Sequence, residues 1–144
     1  MQTAKINIKD KTFSAVVVDT EDSRQVGLSN TDHLPSGKGM LFVFDGPQDV
    51  TMNMVSMAFP LDMIFIDADD TVIAVRQLSP GRYDTSVDNV AYVLEVNAGE
   101  GSNLVGEKVI IEETSKGVIG AARKGAKLNL IKIFRQGGLF INRR

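Results

Sequence analysis

The chain of 144 residues has no cysteine, no tryptophan, a single histidine and only four prolines. Each shortage removes a class of function. Without cysteine there is no disulfide, no thiolate metal site and no thiol nucleophile. One histidine cannot supply the several ligands of a zinc centre. That residue, His33, lies between Asp32 and Leu34 in a polar stretch. No Gly-x-Ser-x-Gly turn is present to hold a serine that it could activate. His33 therefore reads as an exposed loop residue. No run of about 18 apolar residues occurs, so no segment reads as a membrane-crossing helix. The first residues, Met1 to Lys9, lack the apolar stretch of a secretory signal. The expected location is the cytoplasm, or a particle assembled inside the cell.

The most informative shortage is local. All 18 acidic residues lie at or before Glu113, and residues 114–144 contain none. That final stretch carries Lys116, Arg123, Lys124, Lys127, Lys132, Arg135, Arg143 and Arg144, a charge of +8. The first 113 residues hold 8 basic against 18 acidic groups, a net of −10, and the whole chain is −2. A mild total thus conceals an acidic body and a basic tail. Asymmetry of this kind points to an interaction arm. Two units follow: a domain over 1–113 and an arm over 114–144. Apolar content of 43% and charged content of 24% suit a soluble globule.

The body reads mainly as strands. Residues 4–9 alternate polar and apolar, with Ile6 and Ile8 on one face. Residues 13–18 are β-branched and apolar, and Asp10-Lys11 reads as the hairpin turn between the two runs. Thr20 offers an N-cap, followed by Glu21 and Asp22, whose charge suits a helix start. One short helix is therefore predicted over residues 20–28. Residues 29–38 read as a loop. Residues 40–44 read as a strand closed by an Asp45-Gly46-Pro47 turn, and 50–57 as another strand. Residues 61–67 and 72–78 form a predicted hairpin turning at Asp69-Asp70. A polar loop is expected up to Asn89, then strands at 91–96 and 108–112. About eight short strands with turns between them imply a mainly β, barrel- or sandwich-like sheet. In the arm, Val118, Ala122, Ala126, Leu130 and Ile133 step by four and three, the pattern of an amphipathic helix. A strand over 127–135, turning at Gly137-Gly138 into 139–141, reads equally well.

Chemistry has few places to sit. Asp67, Asp69 and Asp70 crowd one hairpin end, with Thr71 beside them. Three carboxylates could hold Ca²⁺ or Mg²⁺, but the spacing is shorter than an EF-hand loop and lacks its distal Glu. Asp also favours turns in its own right, and that reading is preferred. No cofactor is expected. The run Gly101-Ser102-Asn103-Leu104-Val105-Gly106-Glu107-Lys108 resembles a phosphate loop only at a glance. An acid stands where the lysine belongs, and a strand follows instead of a helix. Asp62 lies inside the apolar run 60–66, and Glu95 inside 92–96. A charge in an apolar strand must face water, pair, or shift its pKa. Arg24, from the short helix, is the expected partner. Two carboxylates in one cleft could also act as the acid and base of a glycoside hydrolase. Five of the six methionines fall between Met40 and Met63 and read as gap-fillers of a core.

Several blocks together carry a resemblance. They are Thr20 to Leu28, Gly39 to Phe44, Pro60-Leu61-Asp62-Met63-Ile64-Phe65-Ile66-Asp67, and Tyr92-Val93-Leu94-Glu95-Val96-Asn97-Ala98-Gly99, closing on Gly106. In order and spacing the chain resembles the domain of unknown function 192 family over residues 13–112. The resemblance implies a compact, mainly β fold with one short helix and no established activity. Arg24, Asp62 and Glu95 fall on polar positions of the family's pattern. This chain departs at residues 53–57, which read Asn-Met-Val-Ser-Met where the family has a Trp-Met-Lys-Asn-Thr block. It also shows no export signal, and its basic tail lies beyond the family's domain.

The composition favours a non-enzymatic interaction or assembly module, such as a structural component of a virion or other large particle. Its arm would grip an acidic surface on a protein partner or a neighbouring copy through Arg123, Lys124, Lys127, Leu130, Lys132, Ile133, Phe134 and Arg135. An oligomer is the expected state. The alternatives are a hydrolase using Asp62 and Glu95 with Arg24, and nucleic-acid binding through the tail.

Overall fold

Alternating polar and apolar residues build the first hairpin. In β1 (Thr3–Ile8) the residues Ala4, Ile6 and Ile8 turn inward and Lys5 and Asn7 outward. β2 (Lys11–Val18) pairs antiparallel to it, with Ile8 opposite Lys11. The two-residue turn is Lys9-Asp10, one position earlier than predicted, and Lys9 takes the positive φ of 57° that such a turn requires. The computed structural model describes residues 2–81 and 84–113, together with the backbone of 139–140.

The short helix is where the sequence puts it. α1 (Glu21–Val26) starts from Thr20, whose hydroxyl accepts from Ser23 N at 3.1 Å while Ser23 Oγ accepts from Thr20 N at 3.1 Å. This reciprocal capping box satisfies two amides that the helix itself leaves open. A helix of six residues is not stable alone in water, so its place depends on packing against the sheet.

α1 leads into β3 (Lys38–Met52), which runs parallel to β2 over residues 38–42. β3 is 15 residues long, against a predicted strand ending at Phe44. Gly46 and Pro47 each favour a turn by residue type. The chain instead continues through them as an irregularity in the strand. The pairing of β3 with β6 (Thr85–Asn97) breaks register between Val43 and Gln48 and again before Val50, and Gly46 takes φ 81°. Residues 50–52 are therefore the end of β3, and 53–57 do not form the separate strand expected there. The polar loop expected up to Asn89 stops before Thr85, where β6 begins; residues 85–89 are mostly exposed and offer little apolar alternation, with Val87 packing against the outer core.

β4 (Leu61–Ile66) is buried at every position, as befits a strand with neighbours on both edges and cover on both faces. It pairs with β6 on one side and β5 (Val72–Leu78) on the other. β7 (Val109–Glu113) pairs with β1. The sheet order is β5-β4-β6-β3-β2-β1-β7, and β8 (Leu139–Phe140) lies parallel to Val50–Thr51 of β3. The two ends of the path meet at the start of β5. Val72 N donates to the Glu107 carbonyl at 2.9 Å, Gly106 N to the Val72 carbonyl at 2.8 Å, and Thr71 bridges Lys108. Beyond that meeting the sheet stays open. The fold is mainly β and barrel-like, with one short helix, as the sequence implies.

Two cores result. The inner one gathers Ile6, Ile8, Leu41, Val43, Ile64, Tyr92, Leu94 and Ile111 inside the curved sheet, with Leu104 reaching in from the loop after β6. The outer one lies on the opposite face of β3, β4 and β6, where Phe42, Phe44, Met63, Phe65 and Val93 are covered by Leu28, Met54 and Met57. The side chains named above for the arm, from Arg123 to Arg135, fall outside the described residues, as does the choice between helix and strand there.

Candidate functional site

Asp62 is the second residue of β4 and is 2% exposed. It stands opposite Val96, so its side chain enters the inner core's rim beside Ile64. Its two oxygens are occupied. Gln77 Nε2 donates to Oδ1 at 3.0 Å, and Gly99 N and Gly101 N both donate to Oδ2 at 2.8 Å. A carboxylate that accepts three such bonds can stay buried without a cation. The loop after β6 is thereby tied down over the end of the curved sheet. Gly101 belongs to this arrangement: a Cβ there would lie 3.1 Å from Asp62 Oδ2 and from Ile64 Cγ1. The glycine allows the loop backbone to reach the carboxylate.

Glu95 is fully buried, at 0% exposure, but it faces the other way. It stands opposite Met40 on β3 and Met63 on β4, and so points into the outer core. Met40, Met52, Met54, Met57 and Met63 all belong to that core or pack against it, so the methionine cluster fills it as the sequence suggests. Asn53, also buried, bends the chain above this face by accepting from Val55 N at 3.2 Å.

Arg24 lies on the outer face as well, 5.5 Å above the centroid of the Phe44 ring. It is 6% exposed. Nη1 donates to the Val43 carbonyl at 2.7 Å and to the Asp19 carbonyl at 2.8 Å. Val43 is the last regular pair before the register of β3 breaks, and the guanidinium supplies a donor at that break. Burial pulls the guanidinium below its ordinary pKa, while Asp45, Asp19 and Glu21 pull it back up. It remains a cation.

The expected grouping of Arg24 with both Asp62 and Glu95 is therefore corrected for Asp62, while Arg24 and Glu95 share the outer face. Residues that face each other across a ladder share a face, and alternate residues point to opposite faces. Asp62 faces Val96 while Glu95 faces Met63, so the two carboxylates lie on opposite sides of one sheet. No single substrate bond can lie between them, as a two-carboxylate hydrolase requires. Arg24 and Asp62 are separated by the same sheet.

The other sequence candidates are structural or exposed. Asp67 Oδ1 accepts from Asp69 N at 2.9 Å and Thr71 N at 3.0 Å, closing the β4–β5 turn, and Asp70 takes φ 59°. Among the described residues no group of three His, Cys, Asp or Glu side chains could hold a metal ion, Asp67, Asp69 and Asp70 included. His33 is exposed. The sequence reading overlooked a second clamp on the loop after β6. Glu100 Oε2 accepts from Ser36 Oγ at 2.8 Å and Gly37 N at 3.1 Å, and Asn97 Nδ2 donates to the Leu34 carbonyl at 2.6 Å. The polar, glycine-spaced run Asn97 to Gly101 was its visible signal.

The order of blocks around Arg24, Asp62 and Glu95 matches a known pattern. The profile of DUF192, described as uncharacterized ACR, matches residues 3–109. The chain belongs to the DUF192 family. Two solved structures resemble this DUF192 chain. One, from Sinorhizobium meliloti 1021, is described as "a putative transcription regulator". It is 26% identical, has a TM-score of 0.71, and the match covers 77% of this chain and 94% of that one. The other is a protein of unknown function from Novosphingobium aromaticivorans DSM 12444. It is 24% identical with a TM-score of 0.68, over 75% of this chain and 83% of that one. The second likeness concerns the fold alone. No curated protein matches the DUF192 chain. No helix among the described residues is long and apolar enough to cross a membrane.

Proposed function

We propose that the chain is a non-enzymatic interaction and assembly module, an acidic DUF192 domain with a basic docking arm, of a kind suited to a large particle such as a virion. One observation carries the reading: residues 1–113 hold a net −10 and residues 114–144 hold +8 with no acid among them. Opposite charge on separate parts of one chain steers like chains head to tail, and steers the arm toward acidic partners. The separation of Asp62 and Glu95 by the sheet, and the use of both Asp62 oxygens in fixing a loop, weigh against the hydrolase alternative. Truncation after Glu113 tests the proposal by light scattering coupled to size exclusion. The full chain is expected to run as an oligomer that dissociates as salt rises, and the truncated chain as a folded monomer. Equal masses for both would refute it.

A second reading is favoured by the description of the Sinorhizobium meliloti structure. In it the arm binds nucleic acid through its eight cations. Fluorescence anisotropy with a labelled duplex distinguishes the two. On the assembly reading, binding is weak and disappears between about 50 and 200 mM salt, as for any cationic tail. Sequence-selective binding that survives that range would favour the second reading.

A further inference from the structure

The far half of β3 has an edge to spare. β2 runs beside β3 only as far as the Val18–Phe42 pair, while β6 follows the opposite edge to the Met52–Thr85 pair. Among the described strands, only β8 lies along the rest of that edge, parallel to Val50 and Thr51 and in line with β2. A free strand edge is a template for an added strand. Here the added strand comes from the end of the basic arm.

Resting on the assembly reading above, we infer that this edge is the acceptor and that a second copy of the chain supplies the strand: Leu139–Phe140 of one molecule pairs with Val50–Thr51 of another. Three features carry the inference. A ladder of two residue pairs is too short to lock the segment onto its own domain. The length of chain permits exchange, since 25 residues separate Glu113 from Leu139 in sequence. Fully extended, they reach roughly 85 Å, far beyond the ~30 Å width of a small domain. The charges also match. The ribbon formed by residues 45–52 and 84–90 contains Asp45, Asp49, Asp84 and Asp88 and no Lys or Arg, and Asp49, Asp84 and Asp88 are exposed. The segment that pairs with it is flanked in sequence by Arg135, Arg143 and Arg144. Reciprocal exchange of this strand gives a closed dimer, and one-way exchange gives a chain of subunits.

The lack of cysteine makes the test clean. Full-length Thr51→Cys and full-length Phe140→Cys are purified separately, mixed, and oxidised with oxidised glutathione. The expected product on a non-reducing gel is a hetero-linked dimer in excess of both homodimers. It should be lost when the acceptor also carries Asp49→Lys and Asp88→Lys. A statistical mixture of the three dimers would overturn the inference. So would a Thr51→Cys/Phe140→Cys chain that links only within itself, or not at all, while the mixture yields no hetero-linked dimer. If the truncation still dissolves an oligomer under that outcome, the arm docks elsewhere and the assembly reading survives without this acceptor. Hydrogen exchange on the unsubstituted chain gives an independent check. Protection of residues 48–52 should rise with protein concentration, and protection independent of concentration means that the strand stays at home.

Discussion

Replacing Asp62 by Ala should destabilise the fold by about 3 kcal/mol, because it leaves the buried Gly101 amide without an acceptor and takes the protein partner from Gly99 N and Gln77 Nε2, which lie nearer water. Gly99 N and Gly101 N have no other hydrogen-bond acceptor shown, and Gln77 loses its partner as well. For a chain of this size that loss lowers the melting temperature by roughly 10 °C. Asp62→Asn is the telling comparison. Its amide oxygen can face the two glycine amides while its NH₂ group meets Gln77, whose own amide turns over to accept. The cost should then fall to about 1 kcal/mol, the difference between a charged and a neutral acceptor. Thermal melts of the three proteins check this. Equal losses for Ala and Asn would mean that the negative charge itself, rather than the acceptor geometry, holds the loop.

Gly39→Ala should cost roughly 3 kcal/mol, the upper part of the range for forcing one extra carbon into a packed interior. The added Cβ would lie 2.6 Å from the Glu95 carbonyl oxygen, 3.1 Å from Val96 Cγ1 and 3.2 Å from Leu94 Cδ1. The nearest of these is a backbone atom. It cannot turn aside as a side chain would, because β6 is held by β3 on one edge and β4 on the other. Either the two strands separate locally or the start of β3 shifts away from β2, to which Gly39 is also paired opposite Ala15. Denaturant unfolding measures the loss. A change below about 0.5 kcal/mol, the usual range for a surface substitution, would show that the β3–β6 spacing is looser than described.

Most of the fold could be read from residue patterns, and the misreadings have physical reasons. Ile6, Ile8 and the apolar run at 61–66 announce their strands through alternation or length, and Thr20 with the acids after it announces the helix. Gly46 and Pro47 misled because their local preference for a turn was overridden by pairing with a distant strand. The start of β6 was missed because Thr85 to Asn89 carry little apolar alternation. For the candidate site, burial was legible and direction was not. A charge within an apolar run marks Asp62 and Glu95 as buried, yet which face each occupies depends on the register of β4 against β6, whose paired residues lie 26 to 36 positions apart in sequence. Gly101 was noticed for the wrong reason. Its glycine serves the approach to Asp62, and nothing in the linear run Gly101 to Lys108 reveals that contact.

β3 sends Leu41 and Val43 to one side and Phe42 and Phe44 to the other. The same strand is therefore a party wall. Whatever loosens the methionine-lined layer also strips the curved interior of its central support, so neither compartment can melt and leave its neighbour standing. The domain is expected to unfold as one block under heat or denaturant, and a partner that grips the far end of β3 would take hold of the whole block at once.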